Sequence, residues 1–232
     1  MKQIFVTGTD TDVGKTFVCG LLLNFFKEQG VDVGYQKWAA TGPDFPPADL
    51  VSCLNAAGLP LVEADIPLQV PYHFALPASP HLAAEQQGAE VDPGHIRRCY
   101  QQLKARHQLL VVEGVGGLLV PLRRDLLLAE LLAELMIPTL IVARSGLGTI
   151  NHTLLTLEGL RARQIPVLGV LFSDAASGDN EILVADNMAT IGEIGQVKIL
   201  GRLPRCRELA QAREAFSPIG RAISREIGLD RE

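Results

Sequence analysis

Residues 8–16, Gly-Thr-Asp-Thr-Asp-Val-Gly-Lys-Thr, contain the residue types best suited to binding phosphate. In a phosphate-binding loop, successive backbone N–H groups and the first amides of a helix surround an anion. Lys15 would add positive charge for the outer phosphates, and Thr16 would offer its hydroxyl to Mg²⁺. The common pattern has a glycine six residues before the lysine, where this chain has Thr9, and Gly8 stands one residue earlier. The sequence therefore predicts a variant phosphate-binding loop and a nucleotide ligand.

Two further charged residues end predicted strands, and a third begins a predicted helix. Lys37 ends an apolar run and is followed by Thr41, while Glu113 ends a buried Leu-Leu-Val-Val run and precedes glycines. A carboxylate beside a phosphate loop can hold Mg²⁺ directly or through water. Asp49 begins a helix, where the helix dipole also favours an acid. The alternative interpretations are a surface lysine, a solvated carboxylate and an ordinary first-turn acid, respectively.

The elements that must position these residues alternate along the chain between apolar runs and amphipathic stretches. The predicted strands are residues 3–7, 32–36, 108–113, 138–143, 166–172 and 197–201. The predicted helices are residues 15–29, 47–57, 92–106, 126–136, 150–164, 181–193 and 207–227, the last open to a break near Pro218. Such alternation predicts an α/β fold with a mostly parallel sheet, helices on both faces and ligands at the carboxyl ends of the strands.

Length and composition favour one domain, residues 1–232, with a substantial core. Hydrophobic residues make up 47% of the chain and aromatic residues only 5%, which suits buried parallel strands better than an aromatic recognition surface. Residues 58–81 are richer in proline, and we interpret them as an ordered excursion over the sheet rather than an interdomain linker.

Charge and segment composition indicate a cytoplasmic protein. The net charge of −5 argues against a general nucleic-acid or membrane-surface role. Met1-Lys2 lead directly into a strand, which predicts no signal peptide, and residues 126–143 contain acids and a proline that argue against a membrane span. The five histidines lack metal-ligand spacing, and Arg144 is interpreted as a solvated arginine with some capacity to assist anions. Reduced thiols are favoured over disulfides for the four separated cysteines, Cys19, Cys53, Cys99 and Cys206.

Taken together, these residues resemble the dethiobiotin synthetases, enzymes with a single-domain phosphate-loop NTPase fold. The resemblance runs along most of the chain. Besides residues 8–16, it rests on Lys37 with Thr41-Gly42, Asp49-Leu50, and residues 71–74, 79–81, 113–117 and 146–152. The last block, Gly-Leu-Gly-Thr-Ile-Asn-His, together with the Glu113 turn, is quite specific among phosphate-loop proteins.

The resemblance implies a cyclo-ligase of biotin biosynthesis that consumes ATP with Mg²⁺. Its substrate would be 7,8-diaminopelargonic acid, of which one amine combines with CO₂, supplied as CO₂ or bicarbonate, to form a carbamate. The carbamate would attack the γ-phosphate of ATP and give a carbamic–phosphoric anhydride and ADP. The second amine would then close the cyclic urea and release phosphate.

The same resemblance implies roles for individual residues. Catalytic roles fall on Lys37, Lys15 and Thr11, and Mg²⁺ binding on Thr16, Asp49 and Glu113. Nucleotide binding is implied for Asp12, Val13, Gly14, Lys15, Thr16, Phe17, Glu113, Gly114, Val115, Gly116, Ser173, Asp174, Leu203, Pro204 and Arg205. Substrate binding is implied for Thr11, Asp12, Lys37, Thr41, Thr149, Ile150 and Asn151, with the last three contributed by the neighbouring subunit of a homodimer.

Three positions depart from related patterns. Trp38 follows Lys37 where many relatives have proline, so the local turn is expected to differ. Ser173 stands where relatives often present asparagine to adenine, and a hydroxyl cannot supply the paired donor and acceptor of an amide, which leaves base selectivity open. Asp10 stands where partition-type ATPases place a second lysine, which weighs against that alternative. Another phosphate-loop ligase of cofactor synthesis is the second alternative.

Overall fold

The computed structural model describes residues 1–174 and 180–229 and contains a central sheet of six parallel strands. The strand order is β10-β9-β8-β1-β5-β2, so β1 lies inside the sheet between β8 and β5. Because all the paired strands run parallel, their carboxyl ends meet at one edge, where the candidate residues follow them. The six strands are β1 Lys2–Gly8, β2 Val33–Lys37, β5 Leu109–Gly117, β8 Thr139–Arg144, β9 Val167–Ser173 and β10 Ile199–Leu203.

Helices cover both faces of this sheet because side chains alternate along each strand. Ile4 and Val6 face one apolar core with α1, α2 and α9, whereas Phe5 faces a second core with α5, α6 and α7. The helices are α1 Lys15–Glu28, α2 Ala48–Ala57, α5 Pro93–Arg106, α6 Leu128–Leu135, α7 Thr149–Arg161, α8 Glu181–Gly195 and α9 Leu209–Ile227. The predicted fold class is therefore confirmed.

Shorter elements fill the connections. The proline-rich excursion contains a 3₁₀ turn at Glu63–Asp65, helix α3 Ile66–Gln69 and strand β4 Tyr72–Phe74, which pairs in parallel with β3 Ala39–Thr41. Helix α4 Pro80–Gln86 follows it. A small antiparallel hairpin joins β6 Pro121–Arg123 to β7 Leu126–Leu127.

The structure corrects two boundaries and the predicted helix break. The predicted helix 126–136 begins only at Leu128, because the two residues before it pair with β6. Strand β5 extends through Gly117, beyond the predicted end at residue 113. Helix α9 continues through Pro218, although an internal proline costs about 3 kcal/mol in a helix. The buried side chains of Phe216, Ile219 and Ile223 hold that helix on the core and offset the missing hydrogen bond.

Trp38 is the single residue between β2 and β3, and its indole is completely buried. It packs against Phe5, with ring centroids 4.8 Å apart, on the core opposite to that containing Tyr35. The tryptophan therefore anchors the turn that follows Lys37. Within residues 1–174 and 180–229, no helix is both long and apolar enough to cross a lipid bilayer.

Candidate active site

The loop between β1 and α1 has the backbone geometry of a tight anion-binding turn. Gly14 has φ +95°, a left-handed conformation suited to glycine, and a Cβ atom there would lie 2.9 Å from the Ser173 hydroxyl. A Cβ atom at Gly8 would lie 2.7 Å from the Asp10 carbonyl oxygen and 3.0 Å from Lys15 Nζ. Gly8 therefore supplies the glycine that the start of this variant loop requires. The loop does not need a second glycine at position 9, where the chain has threonine.

Lys15, the first residue of α1, folds back over this loop. Its Nζ donates a hydrogen bond to the Asp10 carbonyl oxygen at 2.9 Å, and the side chain is buried. Burial lowers the pKa of Lys15, and the negative charge of Glu113 partly opposes this effect. The ammonium group is thus poorly solvated and lies where an anion would improve its environment.

Asp10 connects the loop to the end of β8. Its Oδ1 accepts from the Thr11 backbone N–H at 2.8 Å, and its Oδ2 accepts from Arg144 at 3.0 Å. The Arg144 side chain is 43% exposed, as the sequence interpretation of a solvated arginine expects, but its guanidinium also pairs with the phosphate loop. The contact joins residues 134 positions apart, and nothing local in the sequence indicates it.

A group of five side chains, here called the Glu113 cluster, consists of Glu113, whose carboxylate is buried, and four neighbours. Glu113 Oε1 accepts from Thr16 Oγ1 and from Lys37 Nζ, each at 2.7 Å, and Glu113 Oε2 accepts from Tyr35 at 2.7 Å. Asp49 completes the cluster, with Oδ2 2.6 Å from Lys37 Nζ and Oδ1 3.3 Å from Thr16 Oγ1. Glu113 is fully buried, whereas the Asp49 side chain is 41% exposed.

Strand register assembles this cluster. Lys37 of β2 lies directly opposite Glu113 of β5, and Tyr35, two residues earlier, is on the same face of the sheet. Helix α2 packs against α1, and its first turn places Asp49 beside Lys37 and Thr16. The alternative interpretations of Lys37 as a surface residue and of Glu113 as a solvated carboxylate are therefore excluded by burial.

Charge holds Lys37 in its protonated form. Burial by itself would lower the pKa of Lys37, but the carboxylates of Glu113 and Asp49 outweigh burial and raise it. Burial, reinforced by the Glu113 charge, raises the pKa of Tyr35 well above its usual value, so the phenol remains a hydrogen-bond donor. The cluster therefore presents one fixed ammonium group between two carboxylates.

The phosphate loop and the Glu113 cluster line the same cavity, whose volume is about 520 Å³. This volume is within the range of small-ligand sites. The lining residues are Thr11, Asp12, Gly14, Lys15, Thr16, Phe17, Lys37, Thr41, Asp49, Ser52, Glu113, Val115 and Gly116. The cavity thus combines backbone amides and ammonium groups for an anion with hydroxyl and carboxylate oxygens for a hard cation.

The oxygen donors of Thr16, Asp49 and Glu113 fit Mg²⁺, which prefers such ligands. Among the residues that the structure describes, no group of three His, Cys, Asp or Glu side chains is arranged to hold a metal. A magnesium site here consequently depends on the Thr16 hydroxyl, together with the two carboxylates and oxygens of the ligand.

Several residues implied in nucleotide binding lie outside this cavity. Ser173 ends β9 beside Gly14, so it adjoins the phosphate loop. Asp174 is engaged by Arg202, with Oδ2 2.8 Å from the Arg202 guanidinium, and by the Ser145 hydroxyl. The remaining residues outside the lining set are Val13 and Leu203, which are buried in the core, and Gly114, Pro204 and Arg205.

The residues at the start of α7 also lie outside the cavity. Thr149 is buried and its hydroxyl is 3.3 Å from that of Thr153, whereas Asn151 is exposed and Ile150 is partly buried. Gly148, with φ +89°, precedes the helix. Within one chain, this helix start therefore does not line the cavity that contains Lys37.

Comparison with known proteins assigns the chain to a family. Residues 2–213 match the family model described as an AAA domain. The ATP-dependent dethiobiotin synthetase BioD of Methanocaldococcus jannaschii is 35% identical over 203 residues, which cover 86% of this chain and 92% of that protein. The enzyme of the same name from Anaeromyxobacter dehalogenans is 39% identical over 222 residues, covering 94% and 97%.

A solved structure agrees with the fold at low sequence identity. The MinC:MinD cell division protein complex of Aquifex aeolicus aligns with a TM-score of 0.62 at 15% identity, covering 100% of this chain and 98% of that one. At this identity the likeness concerns the fold alone. The identity and coverage of the curated relatives decide the assignment: the chain belongs to the family of ATP-dependent dethiobiotin synthetases.

Proposed function

We propose that this protein is a dethiobiotin synthase, an ATP-dependent cyclo-ligase that acts on 7,8-diaminopelargonic acid and CO₂. The observation that carries the proposal is the Lys37 ammonium group, held between Glu113 and Asp49 on the wall of a cavity that also contains a phosphate loop. Membership of the dethiobiotin synthetase family supplies the reaction.

The reaction brings two anions together. One amine adds to CO₂ and loses a proton to give a carbamate, whose oxygen attacks the γ-phosphorus of ATP while the bond to ADP breaks. The second amine then attacks the carbonyl carbon of the mixed anhydride, loses its proton and expels phosphate as the ring closes. Positioning and charge compensation govern such a phosphoryl transfer, since side-chain proton transfer contributes little to it.

We assign the nucleotide phosphates to the loop that ends at Thr16. Residues 12–17 present backbone N–H groups, and Lys15 gives up its hydrogen bond to the Asp10 carbonyl for the phosphate oxygens. The base is placed toward Ser173 and Asp174 and the Leu203–Arg205 turn, with Gly114, Val115 and Gly116 beside the phosphates. The position of Ser173 beside Gly14 of the loop supports this placement of the base.

We assign Mg²⁺ to Thr16, Asp49 and Glu113, whose oxygen atoms converge. When bound there, the cation would neutralise charge on the phosphates. Glu113 accepts hydrogen bonds from Thr16 and Lys37 through the same oxygen, so these three groups are held at fixed separations before any ligand arrives.

We assign the diamine and its carbamate to the side of the cavity lined by Thr11, Asp12 and Thr41. The Asp12 carboxylate suits a protonated or hydrogen-bonding amine, and the hydroxyls of Thr11 and Thr41 can bond to the carbamate. Lys37 faces the developing charge between carbamate and γ-phosphate, because its ammonium is buried and remains protonated.

Phosphate release from ATP tests the proposal, measured with diaminopelargonate and bicarbonate present or omitted. We expect release to depend on both additions and dethiobiotin to form in equal amount. Equal release with and without the diamine would reject the synthase and favour a partition-type ATPase switch. A requirement for ammonia would favour a different phosphate-loop ligase.

We further propose a homodimer in which Thr149, Ile150 and Asn151 of one subunit bind the carboxylate tail of the substrate held by the other. The start of α7, where Gly148 and Asn151 are exposed, supports this, because the helix N-terminus lies outside its own chain's cavity. Mixing the inactive variants Lys37→Ala and Asn151→Trp should restore activity, since a mixed dimer contains one intact site. With subunit exchange verified separately, lack of recovery would place both residues in one site of one chain.

We also propose that residues 1–232 form one domain and that the protein acts in the cytoplasm without nucleic-acid or membrane partners. The net charge of −5 and the continuous sheet from β1 to β10 support this view.

A further inference from the structure

Tyr35 carries a hydroxyl group into the apolar core. The residue is 1% exposed, and its ring packs among buried aliphatic side chains beneath α1 and α2. The hydroxyl donates to Glu113 Oε2 at 2.7 Å. A phenylalanine would fill nearly the same volume and would avoid the cost of removing a hydroxyl from water. The apolar packing therefore does not account for the hydroxyl, whereas the contact with Glu113 does.

The two carboxylate oxygens of Glu113 accept hydrogen bonds from opposite sides. Oε2 faces the core and accepts from Tyr35, whereas Oε1 faces the cavity and accepts from Thr16 and Lys37. Because a carboxylate can rotate about its last bond, the orientation of its plane is fixed only when donors hold both oxygens, and the oxygen on the core side needs a donor of its own. Tyr35 is the donor that occupies this position.

We propose that Tyr35 is a positioning residue, whose hydroxyl fixes the Glu113 carboxylate so that Oε1 is presented to a divalent cation bound beside Thr16 and Asp49. The inference rests on the proposed function in so far as that cation accompanies ATP. Without the hydroxyl, Oε2 loses its partner inside the core and the carboxylate loses its fixed rotation. The side chain then gains freedom to turn away from the cation site.

Tyr35 differs in this respect from another buried tyrosine of the same chain. Tyr100, on α5, is also 1% exposed, but it packs in the core on the opposite face of the sheet. Its hydroxyl donates to Gln3 Oε1 at 3.4 Å rather than to Glu113. Tyr100→Phe is therefore a matched control for the loss of one buried phenolic hydroxyl.

The experiment measures Mn²⁺ binding to wild-type protein, Tyr35→Phe and Tyr100→Phe in saturating ADP, by the electron paramagnetic resonance signal of unbound Mn²⁺. Partners that orient a metal ligand commonly affect metal affinity by about 10–100-fold. We expect Tyr35→Phe to weaken Mn²⁺ binding about tenfold and to raise the half-saturating Mg²⁺ concentration for turnover by a similar factor. Tyr100→Phe should change neither by more than about twofold.

Three results would overturn the inference: Mn²⁺ affinity of Tyr35→Phe close to wild type, an equal loss in Tyr100→Phe, or absence of Mn²⁺ binding by the wild-type protein with ADP. If Mn²⁺ binding weakens selectively in Tyr35→Phe while phosphate release by the wild type ignores the diamine, Tyr35 keeps its role and the proposed reaction fails instead. Thermal unfolding of both variants reports any general loss of stability.

Discussion

Two clusters of acids and bases lie along the carboxyl ends of the parallel strands, and they use similar groups differently. The Glu113 cluster joins β2, β5 and α2 around Lys37. The Arg202 cluster, consisting of Arg202, Asp174, Glu181 and Ser145, joins the ends of β8 and β9 to β10 and α8. Four residues of the first cluster line the cavity that contains the phosphate loop, and the second cluster does not line it.

The difference lies in what the cation faces. Arg202 binds both oxygens of Asp174 through Nε, at 3.0 Å and 2.9 Å, and extends to Glu181 at 2.6 Å. The planar guanidinium donates these hydrogen bonds to carboxylates of the protein itself, and it holds neighbouring strands and α8 together. The Lys37 ammonium is also paired, but it is a compact charge on a cavity wall, where an incoming anion can share it.

The two clusters also differ in how far their charged groups are removed from water. A buried ion pair gains little net stability, because removing both charges from water costs about as much as their attraction returns. Lys37 and Glu113 are nearly or fully buried, whereas the side chain of Glu181 in the other cluster is 79% exposed. A costly buried arrangement beside a cavity indicates function, and a partly solvated fork between strands indicates structural support.

The largest effect is expected from Lys37→Ala, which removes the charge that faces the reacting groups. Losing such a contact costs about 3–4 kcal/mol in the transition state, or on the order of 10²–10³ in kcat. Steady-state turnover measures the loss, and ATP binding should persist because Lys15 is retained. Lys198→Ala, which removes a surface partner of Glu226, is the control. Normal turnover of Lys37→Ala would show that the charge of Lys37 in the Glu113 cluster is not needed for the reaction.

A smaller effect is expected from Asp49→Asn, and it should differ in kind from that of Asp174→Asn. The Asp49 change removes charge from the proposed cation site, so the half-saturating Mg²⁺ concentration should rise by about 10-fold or more. The Asp174 change weakens contacts with Arg202 and Ser145, on the proposed base side and away from the proposed cation site. It should therefore leave the Mg²⁺ dependence unchanged, and equal shifts in a Mg²⁺ titration of both variants would contradict the distinction.

Arg202→Gln should lower stability and leave catalysis nearly unchanged. Hydrogen bonds to charged groups contribute about 1.5–3 kcal/mol, and this substitution breaks the fork on Asp174. Urea unfolding would show a lower midpoint with the same slope. Because residue 202 lies in β10, beside the proposed base side of the site, kcat/KM for ATP is the second measurement. A catalytic loss exceeding the loss of stability would place Arg202 with the functional residues.

The smallest effect is expected from Ser145→Ala. Its hydroxyl donates to an Asp174 oxygen that also accepts from Arg202, so the carboxylate keeps a partner. The expected loss is about 1 kcal/mol of unfolding free energy, with unchanged turnover. Additive losses in the Ser145→Ala, Arg202→Gln double variant would show that the two contacts act independently, and non-additivity would show one connected cluster.

Local sequence predicts much of the fold because period-two and helical apolar patterns are properties of short segments. The six central strands and seven principal helices occur where these patterns predict them. The prediction failed at Leu126–Leu127, where an apolar stretch of helical composition pairs with Pro121–Arg123 instead. The predicted helix over residues 207–227 does form, and the break that the sequence leaves open near Pro218 does not occur, since burial of the surrounding helix face outweighs the local preference against proline.

The order of amino acids is enough to identify the phosphate loop, to place Lys37 and Glu113 toward the carboxyl ends of two strands, and to give the resemblance that names the reaction. It does not reveal that Lys37 and Glu113, 76 residues apart, form a buried ion pair, or that Tyr35, Arg144 and Arg202 each bind a particular carboxylate. These contacts depend on register between strands and on helix packing. Both are set by the whole core, so no short segment encodes which distant partner a charge will meet.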